Sequence, residues 1–138
     1  MAEGILRSKW AAVGCNDTVS SMGIHGLDRQ PAAEPARRVC LGHGIDISAH
    51  VSRPLEFDEM NKSDLILTME MAQRDFILLF LPQLAERVAL LGSWPSKDSP
   101  KGNIRDPIGG SLKDYENAFE TILHHIDSIF PFLQSLPS

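Results

Sequence analysis

The sequence predicts a parallel α/β fold in one domain spanning residues 1–138. Near-continuous apolar runs over 64–69 and 88–92 are typical of short strands that are buried on both faces of a parallel sheet. Apolar residues spaced three and four apart lie before, between and after these runs, and this period indicates helices. Strands that alternate with helices are typical of a parallel sheet covered by helices. A chain of 138 residues, 43% of them hydrophobic, is long enough to bury a core without metals or disulfides.

The first element is a helix that starts at the beginning of the sequence. Its predicted buried stripe, with spacings of three and four, is formed by Ala2, Ile5, Leu6, Trp10 and Val13. Gly14 is placed to end the helix. No Ser, Thr, Asp or Asn lies before the first turn to cap it, so we expect that a segment precedes Met1 in the natural protein.

Short elements alternate with turns in the next part of the chain. Small residues over 19–25 predict a weak strand, and a loop is predicted over 26–35. A short helix is predicted over 36–41, with Arg37 and Arg38 exposed. The elements that follow it are an extended connection over 45–55 and a helical turn over 57–61.

The second half of the chain carries the clearest periodicity. After the strand at 64–69, a helical stripe is formed by Phe76, Leu79, Phe80 and Leu84, and Pro82 is expected to kink or restart that helix. The strand at 88–92 leads into a polar loop. The last helix shows one apolar face over about six turns, formed by Leu112, Tyr115, Phe119, Ile122, Ile126, Ile129 and Leu133.

Composition and charge exclude several classes of protein. Thirteen basic against eighteen acidic residues give a net charge of −5, which argues against general nucleic-acid binding. No apolar run is long enough for a membrane-spanning helix, and the first residues do not resemble a signal peptide. Two cysteines form no disulfide framework. We therefore expect a small acidic cytoplasmic protein with free thiols and no nucleic-acid or membrane partner.

The most specific local signal is the segment RDPIGG over 105–110. Pro107 holds Asp106 in extended backbone, and two glycines then allow a sharp path into the last helix. Such an arrangement is able to hold one carboxyl group rigidly over a site, as a general acid requires. The alternative is a plain turn followed by Ser111 as helix N-cap, with Asp114 at the third helical position. The residues alone leave both interpretations open.

The histidines and cysteines do not predict a metal site. Cys40 and His43 have the spacing of half a zinc site and His50 follows, but no fourth ligand stands at a standard spacing. His124 and His125 are neighbours on one helix and point in different directions, so we expect a surface and a half-buried residue. No phosphate-binding or dinucleotide-binding glycine motif is present, and we expect neither a metal nor a cofactor.

Five segments follow one another along the chain in a characteristic order. They are MAEGIL at 1–6, VSSMGI at 19–24, HGIDIS-x-H at 43–50, DLIL-x-M at 64–69 and DP-x-GG at 106–110. Together they resemble the low-molecular-weight protein tyrosine phosphatase family, which also includes bacterial arginine phosphatases and thioredoxin-coupled arsenate reductases. Met22 and Ile24 replace small or polar residues of the family pattern. The resemblance implies a three-layer α/β/α fold with a small parallel sheet of strand order 2-1-3-4.

The resemblance also implies roles for three residues. Asp106 matches the family's general acid, which protonates the leaving oxygen. Ile108 and Ser21 are the implied substrate-binding residues. Ile108 stands where tyrosine-selective members often carry an aromatic ring, so strong stacking on phosphotyrosine is not expected. The implied partner is a phosphorylated protein or a small phosphate ester.

One departure from the family pattern concerns the nucleophile. In the family, the first helix follows a strand and a C-x5-R-S loop, whose cysteine attacks phosphorus while the arginine and backbone N–H groups hold the phosphoryl oxygens. Here Cys15 is followed six positions later by Ser21, and Cys40 by Asp46. A general acid alone contributes about 10²–10⁴-fold, whereas enzymes reach at least about 10⁶-fold. We therefore expect a chain that lacks the first strand and loop and is inactive.

Loss of an interior strand leaves its neighbours without a partner, which predicts rearrangement or strand sharing, and hence a possible homo-oligomer.

Three functional hypotheses remain. In the first, the natural protein begins upstream and hydrolyses phosphotyrosine or phosphoarginine. In the second, the chain is a non-catalytic binding or dimerisation module. The third, arsenate reduction, requires two further cysteines after the third strand, where Met69 and Met71 stand.

Overall fold

The computed structural model describes residues 1–24 and 29–136. In chain order its helices and strands are α1 (Ala2–Ala12), α2 (Glu34–Gly42), α3 (Phe57–Lys62), β1 (Ile66–Thr68), α4 (Met71–Phe80), β2 (Val88–Leu90) and α5 (Leu112–Gln134). The chain divides into two compact units, one formed by Met1–Pro54 with Pro107–Ser138 and the other by Leu55–Asp106. None of the helices in the described ranges is long and apolar enough to cross a membrane.

The first unit is a helical core in which α1 and α2 both pack on α5. The periodic apolar face predicted for the last helix is confirmed from Tyr115 to Leu133, whose residues at that period are buried, whereas Leu112, the first residue of the helix, is exposed. Helix α1 contributes Ile5 and Trp10 to this core. Val13, predicted on the same stripe, is instead exposed, because α1 ends at Ala12 and Val13 is already its cap.

The weak strand predicted over 19–25 is not formed in its described part. Residues 19–24 make one isolated parallel bridge between Gly23 and Pro54, in which the Gly23 N–H donates to the carbonyl of Arg53 at 3.0 Å. Among the described residues of this segment no other bridge forms, so the pairing of Gly23 with Pro54 does not begin a ladder. His25 and the start of the predicted loop, 26–28, lie outside the described residues.

The second unit contains the predicted parallel pair of strands. Strands β1 and β2 pair in parallel with Ile66 opposite Val88 and Thr68 opposite Leu90. Both strands are shorter than the apolar runs that predicted them. Helix α4 lies between them in the sequence and begins with a capping box, in which Glu70 and Gln73 each bind the other's backbone N–H. The predicted parallel α/β class is confirmed by this unit.

Three of the four residues predicted on the helical stripe after β1 do not face the core. Phe76, Leu79 and Phe80 are exposed, whereas Ile77 and Leu84 are buried. The sequence over 76–81 is apolar all round the helix, so periodicity alone does not decide which face is buried. Pro82 ends α4 at Phe80 and starts a turn of 3₁₀ helix at Pro82–Leu84, as its sequence predicts.

Candidate active site

The backbone that leads to Asp106 is anchored within the second unit. The N–H of buried Ile104 donates to the carbonyl of Met69, directly after β1, at 2.8 Å. The side-chain oxygen of Asn103 accepts the N–H of Met71, the first residue of α4, at 2.9 Å. Two residues beyond Ile104, the side chain of Asp106 is exposed. The exposed side chain of Asp106 therefore lies two residues after a backbone position that is held by a hydrogen bond.

Asp98 holds the preceding part of the same loop. One of its carboxylate oxygens accepts the N–H of Leu90 in β2 at 3.0 Å, and the other lies 3.2 Å from Nε of Arg74 on α4. Gly92 and Gly102 then pack backbone against backbone, and a Cβ at Gly92 would overlap the carbonyl oxygen of Gly102. The loop from β2 to Asp106 is thus tied to both β2 and α4.

A tight turn comes directly after Asp106. The N–H of Gly110 donates to the carbonyl of Pro107 at 2.8 Å, and Gly109 has φ +78°, as in the third position of a type II turn. Ile108 occupies the second position of the turn and is 75% exposed. A Cβ at Gly110 would lie 2.8 Å from the backbone carbonyl oxygen of Pro107, so a larger residue would require the turn backbone to shift. Within the first unit, the turn therefore fixes the path of the chain from Pro107 to Gly110.

The predicted N-cap of the last helix is confirmed. Ser111 Oγ accepts the N–H of Asp114 at 3.2 Å, and the N–H of Ser111 donates to Asp114 Oδ2 at 2.9 Å. This reciprocal pair is a capping box. The turn interpretation of this segment is therefore correct as local structure, and it is compatible with an acid role for the exposed Asp106.

Ser21 belongs to a polar cluster at the first turn of α1, within the first unit. Its hydroxyl donates to Glu3 Oε1 at 3.2 Å, and its carbonyl accepts from Nε of Arg53 at 3.2 Å. The other oxygen of Glu3 lies 3.1 Å from Nδ1 of His50 and 3.4 Å from a guanidinium nitrogen of Arg7. We call these five residues the Glu3 cluster. They tie the segments around Ser21 and His50 to the start of α1.

Charge favours this position for Glu3. The first turn of a helix carries unpaired N–H groups and a partial positive charge, both of which stabilise a carboxylate there. The side chain of Glu3 is only 12% exposed, so its interactions are weakly screened by solvent. The cluster therefore gives the N-terminal end of α1 a rigid polar support.

Sequence reasoning singled out Ser21 but did not predict the roles of Glu3, His50 and Arg53. His50 closes the HGIDIS-x-H segment and Glu3 lies in the MAEGIL segment, so the signal was present in the motifs. The three site residues predicted from the sequence fall in different parts of the structure. Ser21 and Ile108 lie in the first unit, and Asp106 ends the second.

The residues considered for a metal have other contacts. Cys40 is fully buried, the ring of His43 stacks on Phe119 at 4.1 Å, and His50 faces Glu3. Among residues 1–24 and 29–136, no three His, Cys, Asp or Glu side chains are placed to hold a metal ion.

Neither cysteine has the surroundings of a phosphate-attacking thiolate. Burial raises the pKa of the Cys40 thiol, which favours the neutral form. Cys15 lies just after α1, where its N–H donates to the carbonyl of Trp10 at 2.9 Å. A phosphate site uses the N-terminal end of a helix, and Cys15 stands at the C-terminal end.

Comparison with known proteins decides the family. A family model described as low molecular weight phosphotyrosine protein phosphatase matches residues 1–136. The chain belongs to this family. A probable low molecular weight protein-tyrosine-phosphatase, EpsP, from Ralstonia nicotianae is 34% identical over 136 residues, which are 99% of this chain and 88% of the relative.

Solved structures of phosphatases in this family support the same assignment. A low molecular weight protein tyrosine phosphatase from T. tengcongensis superposes with a TM-score of 0.86 at 27% identity, covering 94% of this chain and 87% of that one. An arginine phosphatase from Geobacillus stearothermophilus has a TM-score of 0.86 at 25% identity, covering 97% and 83%. The three-layer α/β fold that the sequence predicts is confirmed by these likenesses.

Proposed function

We propose that this protein is a phosphatase that removes phosphoryl groups from protein side chains, with Asp106 as the general acid. The observation that carries the proposal is the exposed carboxyl group of Asp106 in the family's DP-x-GG segment, held by the anchored Ile104 before it and the tight turn after it. A general acid must present its carboxyl group to the leaving atom in a fixed direction. The contacts of Ile104 and of the turn support this role for Asp106.

The substrate class is phosphotyrosine or phosphoarginine. In both substrates the side chain is a poor leaving group unless a proton reaches its departing oxygen or nitrogen. Supplying that proton is the role proposed for Asp106. Ile108, at the exposed tip of the turn, offers an aliphatic contact and no ring for stacking. Similar proteins include a probable protein-tyrosine-phosphatase from Ralstonia nicotianae and an arginine phosphatase from Geobacillus stearothermophilus. Side-by-side assays with phosphotyrosine and phosphoarginine peptides distinguish the two.

We further propose that these 138 residues do not turn over substrate alone. The sequence contains no cysteine followed six positions later by an arginine. Cys40 is buried with a raised pKa, and Cys15 lies at the wrong end of α1 for phosphate binding. Without a nucleophile and a phosphate cradle, the proton transfer from Asp106 supplies only about 10²–10⁴-fold.

The test is an assay of p-nitrophenyl phosphate hydrolysis by two proteins. One is the 138-residue chain, and the other carries a family-type strand and Cys-x5-Arg-Ser loop fused before Met1. We expect turnover only in the fusion, its loss when the added cysteine is changed to Ser, and a kcat lowered about 10²–10⁴-fold by Asp106→Asn. Asp17→Asn, at another exposed aspartate, is the control that should leave kcat unchanged.

Two results would contradict the proposal. Turnover by the 138-residue chain that survives removal of both Cys15 and Cys40 would refute the need for an added nucleophile. An active fusion whose kcat is insensitive to Asp106→Asn would refute the acid role.

A non-catalytic dimerisation module is the second candidate function. In the described part of the chain, β1 pairs only with β2, and an unpaired strand edge is a template for a strand from another copy. We propose a homo-oligomer formed in this way, in the cytoplasm, where the two free cysteines remain reduced. Light scattering tests it. The 138-residue chain should be larger than a monomer, and the fusion with its added strand should be monomeric.

A further inference from the structure

Helices α3 and α4 present an aromatic face to solvent in the second unit. Phe76, Leu79 and Phe80 stand at positions i, i+3 and i+4 of α4 and so lie on one side of it. Phe57 of α3 joins them, with its ring 6.2 Å from that of Phe80, which in turn lies 5.0 Å from Phe76. These four side chains, which we call the aromatic face, are 44% (Phe57), 37% (Phe76), 75% (Leu79) and 52% (Phe80) exposed.

The size of the aromatic face indicates what is able to cover it. Aromatic side chains bury about 150–250 Å² each, so the exposed fractions here amount to roughly 300–400 Å². That is the size of the largest apolar patch on a typical monomer, and such patches are often functional. A stable dimer buries about 800 Å² on each partner. The face is therefore matched to a short segment of another protein.

Acidic side chains lie at two edges of the aromatic face. Leu55, Glu56, Phe57 and Asp58 line a cleft of about 300 Å³, which combines an aromatic ring and an aliphatic wall with two carboxylates. On the α4 side, the exposed Asp75, whose carboxylate lies 3.8 Å from a guanidinium nitrogen of Arg74, directly precedes Phe76. A cationic group gains both from a ring face and from nearby carboxylates. The net charge of −5 attracts a basic partner at long range.

We propose that the aromatic face and its cleft form a docking site for a basic, apolar segment of a partner protein. Leucine or phenylalanine side chains of the segment pack on Leu79 and Phe80, and an arginine or lysine enters the cleft between Phe57 and Asp58. All the residues involved lie within Leu55–Asp106. The site is independent of the proposed phosphatase activity, so its test measures binding and not turnover.

Two synthetic peptides provide the probe. Both carry leucine and phenylalanine at helical spacing, and they differ in having arginine and lysine or glutamate at the remaining positions. Titration of the ¹⁵N-labelled chain, followed by amide chemical shifts, should show binding of the basic peptide with shifts confined to α3 and α4. The acidic peptide should bind at least about tenfold more weakly, which corresponds to 1.4 kcal/mol.

Variants locate the site. Leu79→Glu should weaken the basic peptide at least tenfold, whereas Leu41→Glu, at a 64% exposed leucine of α2, should not change its affinity. Asp58→Lys should weaken the basic peptide and strengthen the acidic one, while the far-UV circular dichroism of all variants stays that of the parent. Opposite effects of Asp58→Lys on the two peptides would distinguish a charge-complementary site from nonspecific hydrophobic binding.

Four results would overturn the proposal. The first is equal affinity for the two peptides, and the second is an equal effect of Leu79→Glu and Leu41→Glu on binding. The third is a dimer, seen by light scattering, that Leu79→Glu dissociates, because a second copy would then be the occupant. The fourth is binding to phosphatidylcholine vesicles that is stronger than binding to the basic peptide, which would make the face a membrane contact.

Discussion

The imidazole Nδ1 of His50 lies 3.1 Å from Oε2 of Glu3, a residue 47 positions earlier in the chain. The same carboxylate accepts the hydroxyl of Ser21 and pairs with Arg7. One side chain in the first turn of α1 thus joins three separate parts of the first unit. Glu3 is nearly buried, so replacing it removes a poorly exposed carboxylate that Ser21, His50 and Arg7 all contact.

Glu3→Ala should lower the free energy of unfolding by about 1–3 kcal/mol, since it removes hydrogen bonds to a charged, poorly exposed group. Glu34→Ala is a matched control. Glu34 also lies in the first turn of a helix and pairs with an arginine four residues later, but that pair with Arg38 is exposed. Its loss should cost no more than about 0.5 kcal/mol. Urea denaturation measures both, and equal losses would contradict a special role for Glu3.

Asp98→Ala should release the loop that leads to Asp106. The N–H of Leu90 loses its acceptor and Arg74 loses a partner, so the expected loss of stability is about 1–3 kcal/mol. Hydrogen exchange at the Leu90 amide should become faster. Asp75→Ala removes an exposed carboxylate that also contacts Arg74 and should leave that exchange rate unchanged. Unaltered exchange in Asp98→Ala would show that the contact is unimportant.

Gly92→Ala should be strongly destabilising, by about 2 kcal/mol or more, because its Cβ has to displace the backbone of Gly102. Gly42→Ala, in the last turn of α2, is the matched substitution without a clash, since its Cβ meets nothing within 4 Å. It should be neutral or stabilising by up to about 1 kcal/mol. Thermal unfolding should therefore show a lower Tm for Gly92→Ala and an unchanged or higher Tm for Gly42→Ala.

Stability should decrease as the pH falls from 7.5 to about 5. Burial lowers the pKa of His125, and the adjacent His124 lowers it further. The native state then binds fewer protons than the unfolded state, so this contribution is complete above the unfolded pKa of about 6.5 and is lost as the pH drops toward the lower folded pKa. His125→Gln should reduce the slope of stability against pH, and His124→Gln should reduce it less. A slope that His125→Gln leaves unchanged would exclude this origin.

Local patterns in the sequence predicted the elements whose structure is set by near neighbours. The period of α5, its Ser111–Asp114 capping box and the break at Pro82 all depend on residues within one or two turns. The strand predicted over 19–25 depends on a pairing partner far along the chain, and its described residues pair with that partner only in one bridge, between Gly23 and Pro54. Strand formation at this position is decided by the partner and not by the segment itself.

In the candidate site, too, the sequence predicted the local features but not the contacts between distant residues. Asp106 and its turn carry a local signature, and the structure places the turn as that signature indicates. The Glu3 cluster joins residues up to 50 positions apart, and no periodicity connects Glu3 with His50 or Ser21 with Arg53. The outward direction of Phe76 and Phe80 was equally hidden, because α4 is apolar on all sides near its end.

The first unit is interrupted in sequence by the second, and this has a consequence for synthesis of the protein. Helices α1 and α2 pack on α5, which is synthesised after Leu55–Asp106, so this packing cannot form while the middle of the chain is being made. Leu55–Asp106 is continuous and is complete earlier. During translation we expect the second unit to fold first, with α1 and α2 available to chaperones until α5 emerges.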